Sequence, residues 1–183
     1  MDATHHQLLL LQQALATANL TFGPCLPAAD LAAFEQAHQV SLPPEYQLFL
    51  THIGNGGAGP PVYGLRPLGA SESWWDDEQR AAWQHFQALG RPFPFAQPWY
   101  WEGESAPDPA RLAAVYDGSL YLGTDDCGLD WGLLVTGPQR GYVWQFSEVG
   151  IVPCQPARTF FQWFSAWLGS RLSPGAKEAH PLL

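Results

Sequence analysis

The order of patterns along the chain predicts a domain that holds both helices and strands. Three helix-like segments come first, strand-like runs separated by Asp-Gly and Gly-Pro turn signals fill much of the second half, and an aromatic helix closes the pattern. At 183 residues, with 46% of them hydrophobic, the chain has the size and apolar content of one compact domain with room for an insertion.

Leu8, Leu11, Leu15 and Ala18 recur at helical spacing, so residues 4–19 read as an amphipathic helix that "TFGPCLP" then breaks. A shorter pattern covers 27–38, with Leu31 and Phe34 on one face. In "SLPPEYQLFLTHIG", Pro43 and Pro44 suit a helix start and Glu45 favours the positive end of the dipole. Tyr46, Phe49, Leu50 and Ile53 form the buried stripe of that helix, and Gly54 falls where a left-handed residue would end it. Val62 to Leu68 then reads as a strand.

The character changes over residues 69–111, which read as a variable insertion. Ser73 stands three residues before Asp76, as a cap would, and Trp75, Ala82, Phe86 and Leu89 follow at roughly helical spacing. The proline-rich "RPFPFAQPWYWEGESAPDPA" should be extended loop with at most an edge strand. After it, "AAVYDGSLYLG", "DWGLLVTG" and "RGYVWQF" are strand-like, with "TGPQRG" as a hairpin loop. Phe160, Trp163, Phe164, Trp167 and Leu168 mark one face of a closing helix over 156–171.

Charge narrows the partners. Seventeen acidic against eight basic residues give a net charge of −9, which opposes binding to a phosphate backbone. The acid is concentrated in Glu72, Asp76, Asp77, Glu78, Glu102, Glu104, Asp108, Asp117, Asp125, Asp126 and Asp130, a field suited to a basic partner. Cys25, Cys127 and Cys154 are widely spaced and odd in number, so neither a disulfide framework nor a zinc site is signalled, and a reducing cytoplasm fits best. The apolar run Leu8 to Leu11 is too short for a membrane span or signal segment.

The most distinctive stretch is Gly54-Asn55-Gly56-Gly57-Ala58-Gly59-Pro60. A phosphate loop needs a Lys and a hydroxyl after its last Gly, and a dinucleotide fingerprint needs a helix beginning there. Here a helix ends at the loop, so the carbonyl-rich pole faces it and a phosphate would be repelled. The favoured reading is architectural, with positive φ at Asn55 and at Gly56 or Gly57, and Pro60-Pro61 stiffening the exit.

Other candidates for chemistry carry less. "TDDCGLDWG" places Asp125, Asp126 and Asp130 close together but lacks the alternation and terminal Glu of a calcium loop, so a turn with aspartates accepting backbone amides is favoured. The six histidines show no metal-ligand spacing, no serine sits in a nucleophile elbow, and the carboxylates beside Cys127 would raise its thiol pKa. Trp74, Trp75, Trp99, Tyr100 and Trp101 could stack on a sugar, whereas Trp144, Trp163 and Trp167 read as core.

Three pieces in order, "LPPEYQLFLTHIGNGGAGPPVYGLRPL", "LGTDDCGLDWGLLVTGPQRGYVW" and "FFQWFSAWL", resemble the SUKH superfamily. That superfamily includes the fungal cell-wall-synthesis regulator and many bacterial immunity proteins of polymorphic toxin systems. The resemblance implies an α+β fold with a mixed, mostly antiparallel sheet flanked by helices in a single domain, and no known catalytic site; no cofactor and no metal are expected. It places the family's glycine motif on Gly54, Asn55, Gly56, Gly57 and Gly59, and its strand-turn-strand motif on Cys127, Gly128, Gly137, Gly141 and Trp144.

The expected organisation is an N-terminal helix and connection over 1–26, a SUKH-like domain over 27–171 and a tail over 172–183. The expected function is cytoplasmic, non-catalytic protein binding: an immunity protein that covers a basic toxin encoded nearby, with no nucleic-acid or membrane partner. Trp74, Trp75, Asp76, Asp77, Glu78, Asp125 and Asp126 are the contact candidates. A regulatory scaffold with several partners is the alternative, and a metal-assisted hydrolase using Asp125, Asp126 and Asp130 a third reading.

Overall fold

In the computed structural model, residues 3–70, 77, 88–102, 107–125 and 128–172 are described. The helices among them are α1 (Ala3–Leu15), α2 (Ala28–His38), α3 (Pro44–His52), α4 (Pro109–Ala113) and α5 (Phe160–Leu172). The strands are β1 (Trp99–Tyr100), β2 (Ser119–Asp125), β3 (Leu129–Leu134), β4 (Val143–Phe146) and β5 (Gly150–Pro153). They form one sheet in the order β1-β5-β4-β3-β2, and every pairing is antiparallel. The architecture is the α+β one expected.

Alternation along the strands sends side chains to two cores, one on each face of the sheet. Leu120, Leu122, Leu133 and Val143 join the helical core, with Leu8 and Leu11 of α1, Tyr46, Phe49 and Leu50 of α3, and Phe160, Phe161, Trp163, Phe164 and Leu168 of α5. Leu134, Trp144, Phe146 and Ile151 face the other way, against Phe93, Phe95, Trp99 and Val115. Trp144 is therefore core, as its sequence context suggests, but on the opposite face from Trp163. The Phe93 to Trp99 stretch of the expected insertion is also integral: it closes that second face, and Trp99 is buried while Tyr100 is exposed.

A carboxylate joins two of the helices. Glu45, in the first turn of α3, accepts the backbone N–H of Phe161 at the start of α5, at 2.8 Å. Its negative charge thus serves two helix N-termini. Phe49 and Phe160 then meet edge to face at 5.1 Å, so the link and the aromatic core hold the same pair of helices.

Several local expectations are corrected. Helix α1 stops at Leu15 rather than running to Asn19, which takes a left-handed φ of 46°. Gly54 is not the left-handed helix stop: the cap is Ile53 at φ −116°, and Gly54 is needed because a Cβ there would lie 2.6 Å from the Gly23 carbonyl oxygen. Asn55 likewise keeps a negative φ and acts through its side chain, whose Oδ1 accepts from Leu68 N at 2.7 Å. Val62 to Leu68 forms a turn rather than a strand, bridged to Gly57 through Leu65 and to β2 through Arg66 N donating to Leu122 O. Strand β5 has no counterpart in the sequence reading, because it begins with Gly150 and ends with Pro153, turn-type residues that leave only Ile151 and Val152 as a strand signal.

Candidate protein-binding surface

The glycine stretch folds as the middle ply of three crossing segments. Gly57 pairs with Phe22 on one side and Leu65 on the other, at φ +115°. Its own N–H goes to Leu65 O, that of Gly54 to Phe49 O, that of Asn55 to Pro24 O and that of Ala58 to Thr21 O. Donors that a phosphate would require are thus spent within the chain, which supports the architectural reading of the loop. Gly56 also takes a positive φ, as do Gly128, Gly137 and Gly141 in the strand-turn-strand region, while Gly59 packs near Leu65 and Phe164.

Beyond these glycines the chain turns through Pro60 and Pro61, joined by a cis peptide bond, and projects Val62 and Tyr63 with 61% and 54% of their surface exposed. Asp125, at the end of β2, holds this tip. One carboxylate oxygen accepts Val62 N at 2.7 Å and the other accepts the indole N–H of Trp131 at 2.7 Å. Trp131 lies 5.5 Å from Trp163 of α5, and the Arg171 guanidinium lies 5.1 Å from the ring centre of Trp167, one turn further along that helix. Pro60, Pro61, Val62, Asp125, Trp131, Trp163, Trp167 and Arg171 together line a cleft of about 480 Å³.

Of the contact candidates, Asp77 is exposed, and Asp125 sits at this cleft with both oxygens engaged inside the chain. Trp74, Trp75, Asp76, Glu78 and Asp126 lie outside the described residues, as does Cys127. The expectation that aspartates in "TDDCGLDWG" satisfy backbone amides holds at Asp125, whose geometry suits a brace rather than a metal ligand. Among the described residues, no group of three or more His, Cys, Asp and Glu side chains is arranged to hold a metal ion.

Sequence reasoning missed the Pro60 to Tyr63 tip because it assigned Val62 onwards to a strand. The available signal was a pair of prolines before two apolar residues, a context that favours a turn over a ladder. Asp117 departs from its expected place in the surface field: it is buried, with Oδ1 3.7 Å from Arg91 and without a hydrogen-bond partner among the described residues. Burial raises its pKa, and the Arg91 charge opposes that shift. Cys25 and Cys154 are free thiols, and burial pushes Cys154 upward, away from nucleophilic use.

No helix among the described residues is long and apolar enough to cross a membrane. No curated protein and no solved structure matches the chain. The family model described as SMI1 / KNR4 family (SUKH-1) matches residues 26–168, the span that contains the glycine loop, the whole sheet and most of α5. The chain belongs to the SMI1 / KNR4 (SUKH-1) family.

Proposed function

We propose that this protein is a non-catalytic protein-binding domain, an immunity-type protein that neutralises a cognate toxin by direct contact through an acidic surface. Membership of the SUKH-1 family favours an immunity or regulatory role over catalysis. The observation that carries the reading furthest is the braced apolar tip, Val62 and Tyr63, held by Asp125 at the end of β2. An exposed apolar anchor braced from behind suits a partner surface: the anchor supplies affinity, and the charges of the acidic segment supply encounter rate and selectivity.

In this reading Trp74, Trp75, Asp76, Asp77, Glu78, Asp125 and Asp126 form the acidic and aromatic part of the contact, and the partner is a basic toxin domain encoded nearby and met in the cytoplasm. Co-expression with the product of the adjacent gene tests it. Relief of that product's toxicity together with a co-purifying complex is expected; persistent toxicity with no complex would overturn it.

The same family membership favours a second reading, a regulatory scaffold of cell-wall or signalling type with several protein partners. Affinity capture separates the two, since one small basic protein supports the first reading and several housekeeping proteins support the second.

A further inference from the structure

We infer that the cleft between the Pro60 to Val62 turn and the tryptophans of β3 and α5 is a receptor for an arginine side chain of the basic partner, and that Arg171 occupies it in the free protein. This deepens the partner-binding reading and rests on it.

Three observations converge on one chemistry. The walls are aromatic, with Trp131 and Trp163 tilted by 40° at 5.5 Å and Trp167 following on the same helix. Indole faces attract cations, and a planar guanidinium stacks on them better than an ammonium does. The wall also carries a carboxylate, Asp125, whose hydrogen bond to Trp131 fixes the indole beside the negative charge. The chain itself already places a guanidinium here, with Arg171 5.1 Å from the Trp167 ring centre.

Arg171 is exposed and stands in the last turn of α5, so its guanidinium can leave the ring for water when another cation arrives. The arrangement is self-competing. An arginine from the partner has the same chemistry as the occupant, and the apparent affinity is lowered by the fraction of molecules in which Arg171 is seated.

The test is a titration of ¹⁵N-labelled full-length protein with a hexa-arginine peptide, and with a hexa-citrulline peptide that keeps the planar group without its charge. The indole N–H signals of Trp131 and Trp167 should move with the first peptide and stay still with the second. With the internal competitor removed by Arg171→Gln, the further change Trp167→Leu, which keeps apolar bulk but removes the ring, should weaken binding about threefold, as loss of one exposed cation–π contact implies. Arg171→Gln should tighten it by up to about threefold by removing the internal competitor.

Affinity unchanged by Trp167→Leu in the Arg171→Gln background, or weakened by Arg171→Gln alone, would overturn the assignment. The two levels of reading separate cleanly. If wild-type and Trp167→Leu proteins relieve toxicity equally and the indole signals do not move, the cleft is wrong and the partner reading stands. If the wild type gives no relief and no complex, the partner reading itself fails.

Discussion

The carboxylate of Asp125 receives the indole N–H of Trp131 at 2.7 Å while its other oxygen receives the backbone N–H of Val62, across 63 positions of sequence. A single side chain thereby fixes the exposed tip of one loop against a strand and, through Trp131, against α5. Asp125→Ala should lower stability by about 1–2 kcal/mol, because the half-buried indole N–H loses its acceptor. Asp125→Asn, which keeps one acceptor oxygen, should lose less. Urea unfolding measures both, and a shift of the Trp131 indole signal reports the broken bond directly.

Glu45 makes the comparable link between α3 and α5. Glu45→Ala should cost about 1 kcal/mol, the usual worth of a carboxylate accepting from an early helix N–H, and Glu45→Gln should recover part of it. Thermal unfolding of the pair of variants checks the order.

Glycine substitutions should divide sharply. At Gly57 a Cβ would lie 2.7 Å from both the Cα of Phe22 and the carbonyl oxygen of Thr21, at φ +115°, so Gly57→Ala should destabilise by about 2 kcal/mol or more. Gly169 is exposed within α5 and a Cβ there meets nothing within 4 Å, so Gly169→Ala should stabilise by about 0.5–1 kcal/mol. Denaturant midpoints for the two variants should move in opposite directions.

Asp117 predicts a pH dependence of definite sign. Burial raises its folded pKa above the unfolded value, with Arg91 opposing, so the protonated carboxyl is the form that folding favours. Its contribution to stability is fully present below the ordinary carboxylate pKa and is lost as pH rises through the raised folded value. Asp117→Asn should therefore raise the melting temperature at pH 7, and that advantage should shrink as the pH falls through the raised folded value and be gone by about 4, near the ordinary Asp value. An advantage that grows on acidification would contradict this account.

Partner association should depend on the acidic segment in rate more than in lifetime. Replacing Asp76, Asp77 and Glu78 with Asn, Asn and Gln should slow association with the basic partner about tenfold at low salt, and much less at high salt. Surface plasmon resonance at two ionic strengths checks both parts.

Much of the fold was legible in the chain because its signals are local. The Tyr46-Phe49-Leu50 stripe, the Phe160-Trp163-Phe164 stripe and the runs that became β2 to β4 depend on neighbours a few residues apart, and the periodicities of helix and strand expose them. Gly56 and Gly57 were likewise readable as the residues with positive φ. Gly54 and Asn55 were misread because what constrains them is not local. Gly54 is small because Phe22 and Gly23 pass against it, and Asn55 is needed by Leu68 N.

The same division holds at the candidate surface. By itself the sequence determined the element types, the acidic balance and the family's glycine signature, since each is written in composition and short-range spacing. Only the tertiary structure decided that Asp125 braces Val62, that Asp117 leaves the surface field, and that Trp131, Trp163, Trp167 and Arg171 share one cleft with Pro60 and Pro61. These residues lie on a loop, a strand and a helix far apart in the chain. Sheet register and the docking of α5 through Glu45 bring them together, and no local propensity encodes either.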